Sequence, residues 1–167
     1  MSLKKNMVSL LVLSAVIAFT LGSCLKTKSA ADYEAEEQLK IDNFLSNNPS
    51  LAFTRKESGL YFLQTKAGTG PMAQTGDTVY VKYTGKFLDG YVFDSNVGKS
   101  DLIFPLNNNP KLMIDGFEEG LTYMNVGSKA TVLLPSKLAY GPYGFYIING
   151  YTPLIYELEL VKLVIKQ

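Results

Sequence analysis

The chain has 167 residues, 16 of them basic against 15 acidic, a single cysteine and no histidine. A near-neutral chain without an arginine-rich patch does not offer a nucleic-acid surface, and without histidine the usual zinc sets, a Ser-His-Asp triad and a Cys-His pair are all ruled out. Asp42, Asp77, Asp89, Asp94 and Asp101 lack the spacing of a calcium loop, so neither a metal nor a cofactor is expected.

The first residues read as a leader. Lys4 and Lys5 precede an apolar run from Met7 to Leu21, and Leu21-Gly22-Ser23-Cys24 closes it, the order of a secretory signal with its basic end, apolar middle and small-residue cleavage site. The run falls short of the roughly 20 residues that a bilayer-spanning helix needs. Leu21 to Cys24 resembles a bacterial lipoprotein box, which implies cleavage after Ser23 and acylation of Cys24. Two or more acyl chains there would give a stable membrane anchor. Residues 1–23 are thus expected to be a lipoprotein signal peptide and 24–31 a lipidated tether of small and polar residues. Without Lys4 and Lys5 the remainder has 14 basic residues against 15 acids. In some of the lipoproteins that this block resembles, an acidic stretch after the cysteine goes with export to the cell surface; none follows Cys24, so the resemblance implies the periplasmic side.

From Asp32 to about Asn47 a helix is expected, with Tyr33, Leu39, Phe44 and Leu45 among Glu34, Glu36, Glu37, Lys40 and Asp42. Its early acids suit the helix macrodipole. The apolar stripe is narrow, so the helix needs a partner, either its own domain or a second copy; in the lipoproteins that the chain resembles, dimeric members pair through their amino-terminal helices, and the single short helix here leads us to expect a monomer over a dimer. Ser58-Gly59 reads as a turn between short extended pieces, and Lys66 to Pro71 as a loop. Residues 32–74 are therefore the helix and an entry strand, and residues 75–167 a folded domain.

That domain opens on its most informative stretch, Val79 to Ser95. Val79, Val81 and Tyr83 alternate with Tyr80 and Lys82, as in a strand packed on one side. Asp89-Gly90 marks a hairpin turn before Tyr91, Val92 and Phe93. Phe104 and Leu106 should share a strand face. A brief helix from Gly116 to Met124 should point Phe117, Leu121 and Met124 inward. Ala130, Val132 and Leu134 alternate with Thr131 and Leu133 up to Pro135. In the last strand Leu154, Tyr156, Leu158 and Leu160 lie opposite Glu157 and Glu159. The expected fold is α+β: a twisted antiparallel sheet half-wrapped around a short helix, with an N-terminal helix and the helices on one face.

Six blocks in one order carry a resemblance: Tyr83-Thr84-Gly85 with Asp89-Gly90; Phe93-Asp94-Ser95; Met113 to Leu121; Met124 with Gly127; Pro135 with Ala139-Tyr140-Gly141; and Leu154-Ile155-Tyr156 with Glu157 to Leu160. From about Gly76 to Leu163 the chain resembles the FKBP-type peptidyl-prolyl cis-trans isomerases. The resemblance implies an FKBP-like fold and a cleft between the short helix and the concave sheet face. It implies a lining of Tyr83, Phe93, Asp94, Phe104, Met113, Ile114, Phe117, Tyr140, Ile148 and Tyr156. Most of these would serve equally as core residues. Family members usually carry tryptophan where this chain has Phe117, and an Ile-Pro-Pro step where it has Ile148-Asn149-Gly150. The second departure leads us to expect an altered or more mobile pocket wall, since Asn-Gly permits positive φ where two prolines would hold it fixed; the alternative is that Gly144-Phe145-Tyr146 folds over the cleft and supplies aromatic contacts.

The expected function is acceleration of X-Pro bond rotation in unfolded or folding exported proteins, on the periplasmic side of a bacterial envelope, anchored by Cys24 and more readily in the outer than the inner membrane. The alternative is a catalytically weak FKBP-like module that binds or assembles a membrane-associated complex.

Overall fold

The computed structural model describes residues 27–166. The leader, Cys24 and the first tether residues lie outside them. Helix α1, Ala30–Asn47, starts two residues earlier than Asp32 because Ser29 builds a capping box with Asp32. The Ser29 hydroxyl accepts from the Asp32 amide, and the Asp32 carboxylate accepts from the Ser29 amide at 2.8 Å, so two otherwise unpaired donors are satisfied at once.

The chain then runs through β1 (Thr54–Arg55), β2 (Tyr61–Lys66), β3 (Thr78–Lys86), β4 (Val92–Ser95), β5 (Leu102–Pro105), helix α2 (Asp115–Thr122), β6 (Lys129–Leu134), a 3-10 turn (Ser136–Leu138) and β7 (Leu154–Val164). Among the described residues the strands form one antiparallel sheet in the order β1-β2-β6-β7-β3-β4, with β5 pairing β3. The entry segment therefore contributes two strands to the sheet. The alternation in β3 holds: Val79 and Val81 are fully buried and Tyr83 half-buried. One edge of β3 is shared between β5 at Thr78–Val81 and β4 at Thr84–Lys86. The other edge pairs β7 along its whole length, with a register shift between Tyr80 and Val81 that bends the ladder.

One face of the sheet carries α2. Phe117, Leu121 and Met124 point inward against Val79, Val81, Val132, Leu134, Leu154, Tyr156, Leu158 and Leu160. Gly116 and Gly120 lie one turn apart on the inward side, and a methyl group there would come within 2.6 Å of Leu134 and 3.0 Å of Val132. Their bare backbone lets the helix lie directly on β6.

The helices are not confined to that face. On the opposite side α1 packs Ile41, Phe44 and Leu45 against Tyr61, Leu133 and Ile155. Leu133 and Ile155 are direct cross-strand partners, so the residues alternating with Val132 and Tyr156 form the second contact surface. Within α1 the expected stripe is only partly right. Leu39 is 59% exposed and Tyr33 41% exposed, whereas Ile41 and Glu37 are buried. Glu37 is buried because its carboxylate accepts from the amide and hydroxyl of Ser136.

Candidate functional site

The candidate site is an aromatic floor laid across β3, β4 and β7. Phe117 and Tyr156 meet edge to face with ring centroids 5.3 Å apart. Tyr83 stands edge-on to Phe117 at 5.6 Å, Phe93 edge-on to Tyr156 at 5.8 Å, and Phe104 contacts Phe117 at 6.2 Å. Edge-to-face pairs place the positive rim of one ring on the negative face of the next, so the four central rings fix one another's orientation. Gly85 makes the arrangement possible. A Cβ on it would lie 2.7 Å from the Phe93 ring and 3.0 Å from Tyr156, so any larger residue would push these rings out of the floor.

Asp94 sits exposed on the rim and accepts the Tyr83 hydroxyl at 2.6 Å. Burial, reinforced by that hydrogen bond to a carboxylate, pushes the Tyr83 phenol well above its usual range. The Tyr156 phenol is raised further, first by burial and then by the Tyr140 hydroxyl beside it. Both therefore remain neutral hydrogen-bonding groups in ordinary buffers. Among the described residues no three His, Cys, Asp or Glu side chains cluster as a metal site would require.

The sequence-predicted residues do converge. Tyr83, Phe93, Met113, Ile114 and Tyr140 are half-buried against the same core that contains Phe104, Phe117, Ile148 and Tyr156, and Asp94 completes the rim. Two further residues support the site without having been singled out. Phe87 packs on Phe93 at 5.2 Å; the Asp89-Gly90 hairpin that sets Phe87 opposite Tyr91 was its only signal, confirmed by the Phe87 amide donating to the Tyr91 carbonyl. Asn96 is buried, accepts from the Tyr83 amide at 2.7 Å, and donates to the carbonyls of Val81 at 2.9 Å and Ser100 at 3.2 Å. It pins the strand end that carries Tyr83, and nothing in its local sequence distinguishes it from a loop asparagine.

The wall formed by residues 140–151 is a closed hairpin. Phe145 and Ile148 exchange both backbone hydrogen bonds at 2.8 Å, the Gly144 amide donates to Tyr140, and the Tyr151 amide donates to Gly141 at 3.0 Å. Positive φ occurs at Gly141, Gly144, Tyr146 and Tyr151, not at Asn149 or Gly150 as expected from the Asn-Gly pair. Gly150 is required for another reason, since a Cβ there would lie 1.9 Å from the Pro142 carbonyl oxygen. Phe145 stacks on Tyr140 with centroids 5.4 Å apart and planes at 14°, while Tyr143 and Tyr146 are each 95% exposed.

Comparison with known proteins agrees with this geometry. The sequence pattern of the FKBP-type peptidyl-prolyl cis-trans isomerases matches residues 70–161. The chain is 40% identical to the FKBP-type peptidyl-prolyl cis-trans isomerase FkpA of Aeromonas hydrophila over 140 residues, covering 82% of this chain and 51% of the relative. It is 41% identical to the FKBP-type 22 kDa peptidyl-prolyl cis-trans isomerase of Escherichia coli K12 over 109 residues, covering 64% of this chain and 51% of the relative. It thus spans about half the length of these curated relatives. The crystal structure of FkpA from Escherichia coli superposes with a TM-score of 0.69 at 28% identity, covering 98% of this chain and 74% of that one. With the family pattern running from the loop before β3 into β7, and the aromatic floor assembled from the same span, the chain belongs to the FKBP-type peptidyl-prolyl cis-trans isomerase family.

Proposed function

We propose that the protein accelerates cis-trans rotation of X-Pro bonds in unfolded or folding exported polypeptides, binding the prolyl ring on the floor of Tyr83, Phe93, Phe117 and Tyr156. Phe104, Met113, Ile114 and Ile148 enclose that floor, with Asp94 and Tyr140 at its rim. The observation that carries this reading is the mutually locked set of rings beside neutral phenols, with no histidine anywhere in the chain. Rotation about an amide has a barrier of about 18–20 kcal/mol because resonance is lost at the twisted state. No bond has to break, so no general base is needed. Moving the amide from water onto an apolar surface favours the less polar twisted form. The Tyr140 hydroxyl would hold a substrate carbonyl, and lowering the barrier by about 4 kcal/mol would give a thousandfold rate.

In this reading acylated Cys24 tethers the domain to the envelope on its periplasmic side, in the outer membrane, and the chain acts as a monomer. The docking of α1 on its own sheet through Ile41 and Glu37 supports the monomer, because the helix face that needs cover already has it. The stacking of Phe145 on Tyr140 favours a second reading, a binding module with little turnover, since part of the Tyr140 ring is already occupied. A protease-coupled assay on a proline tetrapeptide with the Thr27–Gln167 fragment separates the two. Acceleration is expected, and none at micromolar protein would defeat the isomerase reading.

A further inference from the structure

The N-terminal helix α1 lies outside the span matched by the family pattern, yet it grips the segment that carries Tyr140 and Ile148 at both ends. At one end the Glu37 carboxylate accepts from the Ser136 amide and, at 2.7 Å, from the Ser136 hydroxyl, with both residues buried. At the other end the Tyr33 ring stacks on Tyr151 with centroids 5.0 Å apart and planes at 12°. The Ser136 carbonyl accepts from the amides of Ala139 and Gly141 at 2.8 Å, and the Gly141 carbonyl accepts from the Tyr151 amide at 3.0 Å. Helix, 3-10 turn and pocket wall therefore form a closed circuit from Glu37 to Ser136, Gly141, Tyr151 and back to Tyr33. Tyr151 holds a φ of 54°, a left-handed backbone that tyrosine seldom adopts without support.

We infer that Tyr33 and Glu37 are positioning residues for the isomerase site: through Tyr151 and Ser136 they hold the Tyr140–Ile148 wall at the distance from the aromatic floor that binding of a prolyl peptide requires. The inference rests on the isomerase reading above for its effect on turnover, but not for the anchoring itself. Neither residue reaches the floor. Their substitution acts through the wall and raises KM more than it lowers kcat, because the wall contacts the bound peptide before and during rotation.

The test uses Tyr33→Ala, Tyr33→Phe, Glu37→Ala and, as a control on the exposed side of the same helix, Leu39→Ala. Tyr33 lies at the surface, so its variants remain informative if Glu37→Ala fails to fold. Tyr33→Ala should lower kcat/KM on a tetrapeptide by about threefold to tenfold, mostly through KM, with melting preserved. Tyr33→Phe keeps the stacked ring and should restore the wild-type value, and Leu39→Ala should leave it unchanged. Hydrogen exchange is read in parallel: the Gly144, Ile148 and Tyr151 amides should exchange at least about tenfold faster in Tyr33→Ala, while those of β7 stay as slow as in wild type. Unaltered exchange of these three amides would overturn the anchoring. An active wild type whose Tyr33→Ala variant keeps its kcat/KM would overturn the positioning role. An inactive wild type would instead refute the isomerase reading, and the exchange data would still decide whether α1 anchors the wall.

Discussion

Phe117 and Tyr156 stand at 88° to one another with their ring centroids 5.3 Å apart, and both are almost completely buried. Phe117 is therefore a structural support as well as a floor. Phe117→Ala should reduce stability by about 3–5 kcal/mol in urea unfolding, a loss to be measured before any fall in turnover is assigned to chemistry. Phe117→Trp, which introduces the residue usual in the family, should be overpacked here by Tyr83, Phe104 and Tyr156 and cost about 1–3 kcal/mol.

Tyr140 offers a ring to Phe145 and a hydroxyl toward Tyr156. Replacing Tyr140 or Phe93 by alanine should lower kcat/KM at least about tenfold, or about 1.4 kcal/mol of transition-state stabilisation. Tyr140→Phe should cost less than Tyr140→Ala. Equal losses in the tetrapeptide assay would move the weight from ring packing to the hydroxyl.

The raised phenols of Tyr83 and Tyr156 set an alkaline limit. Unfolded, each titrates near 10.0, the ordinary value of a phenol; folded, each keeps its proton to higher pH. Above pH 10 the unfolded chain releases protons that the folded chain retains, so stability is full below that pH and falls as pH rises beyond it. Tyr156→Phe should flatten the fall, as read from thermal melting across alkaline buffers. The rate itself should stay level between about pH 6 and pH 9, since rotation transfers no proton and the chain has no histidine to titrate there.

Asn96 satisfies the Tyr83 amide and two carbonyls from inside the sheet. Asn96→Ala leaves them unpaired and should cost about 1–3 kcal/mol in urea unfolding. Asn96→Asp keeps the acceptor for Tyr83 but brings a charge against two carbonyls, and should be no better tolerated.

The Asn149-Gly150 step invites restoration of the family's two prolines. The Pro142 carbonyl, 1.9 Å from where a Gly150 Cβ would stand, forbids it in this hairpin. Gly150→Ala and Asn149→Pro/Gly150→Pro should both lower kcat/KM and speed exchange of the Ile148 amide, the reverse of what stiffening an open loop would achieve.

What the sequence displayed was set by periodicity and turn chemistry. The alternation in Val79–Tyr83 and Leu154–Leu160 and the inward set Phe117, Leu121 and Met124 all recur in the structure, because each depends on residues only a few positions apart. Features that depend on distant partners were hidden. A buried glutamate in α1 makes sense only once Ser136, 99 residues later, is known to lie against it. Ile41 is core and Leu39 is not because Leu133 and Ile155 present a second apolar face. The turn expected at Asn149-Gly150 fails for the same reason: Gly150 answers to the Pro142 carbonyl rather than to its own turn preference.

Strand β7 lies between β6 and β3 and is hydrogen-bonded along both edges. The strand that comes last in the sheet's chain order thus occupies its middle, and without it β1-β2-β6 and β3-β4-β5 are two separate fragments. Closing contacts between Val79 and Leu163 must wait until nearly the whole domain has emerged, which gives the fold a high contact order and a slow, late commitment to the native state. Until then α1, which precedes both strands in the chain, has neither Leu133 nor Ile155 to rest on, so the apolar side that carries Ile41, Phe44 and Leu45 stays uncovered until the sheet closes beneath it.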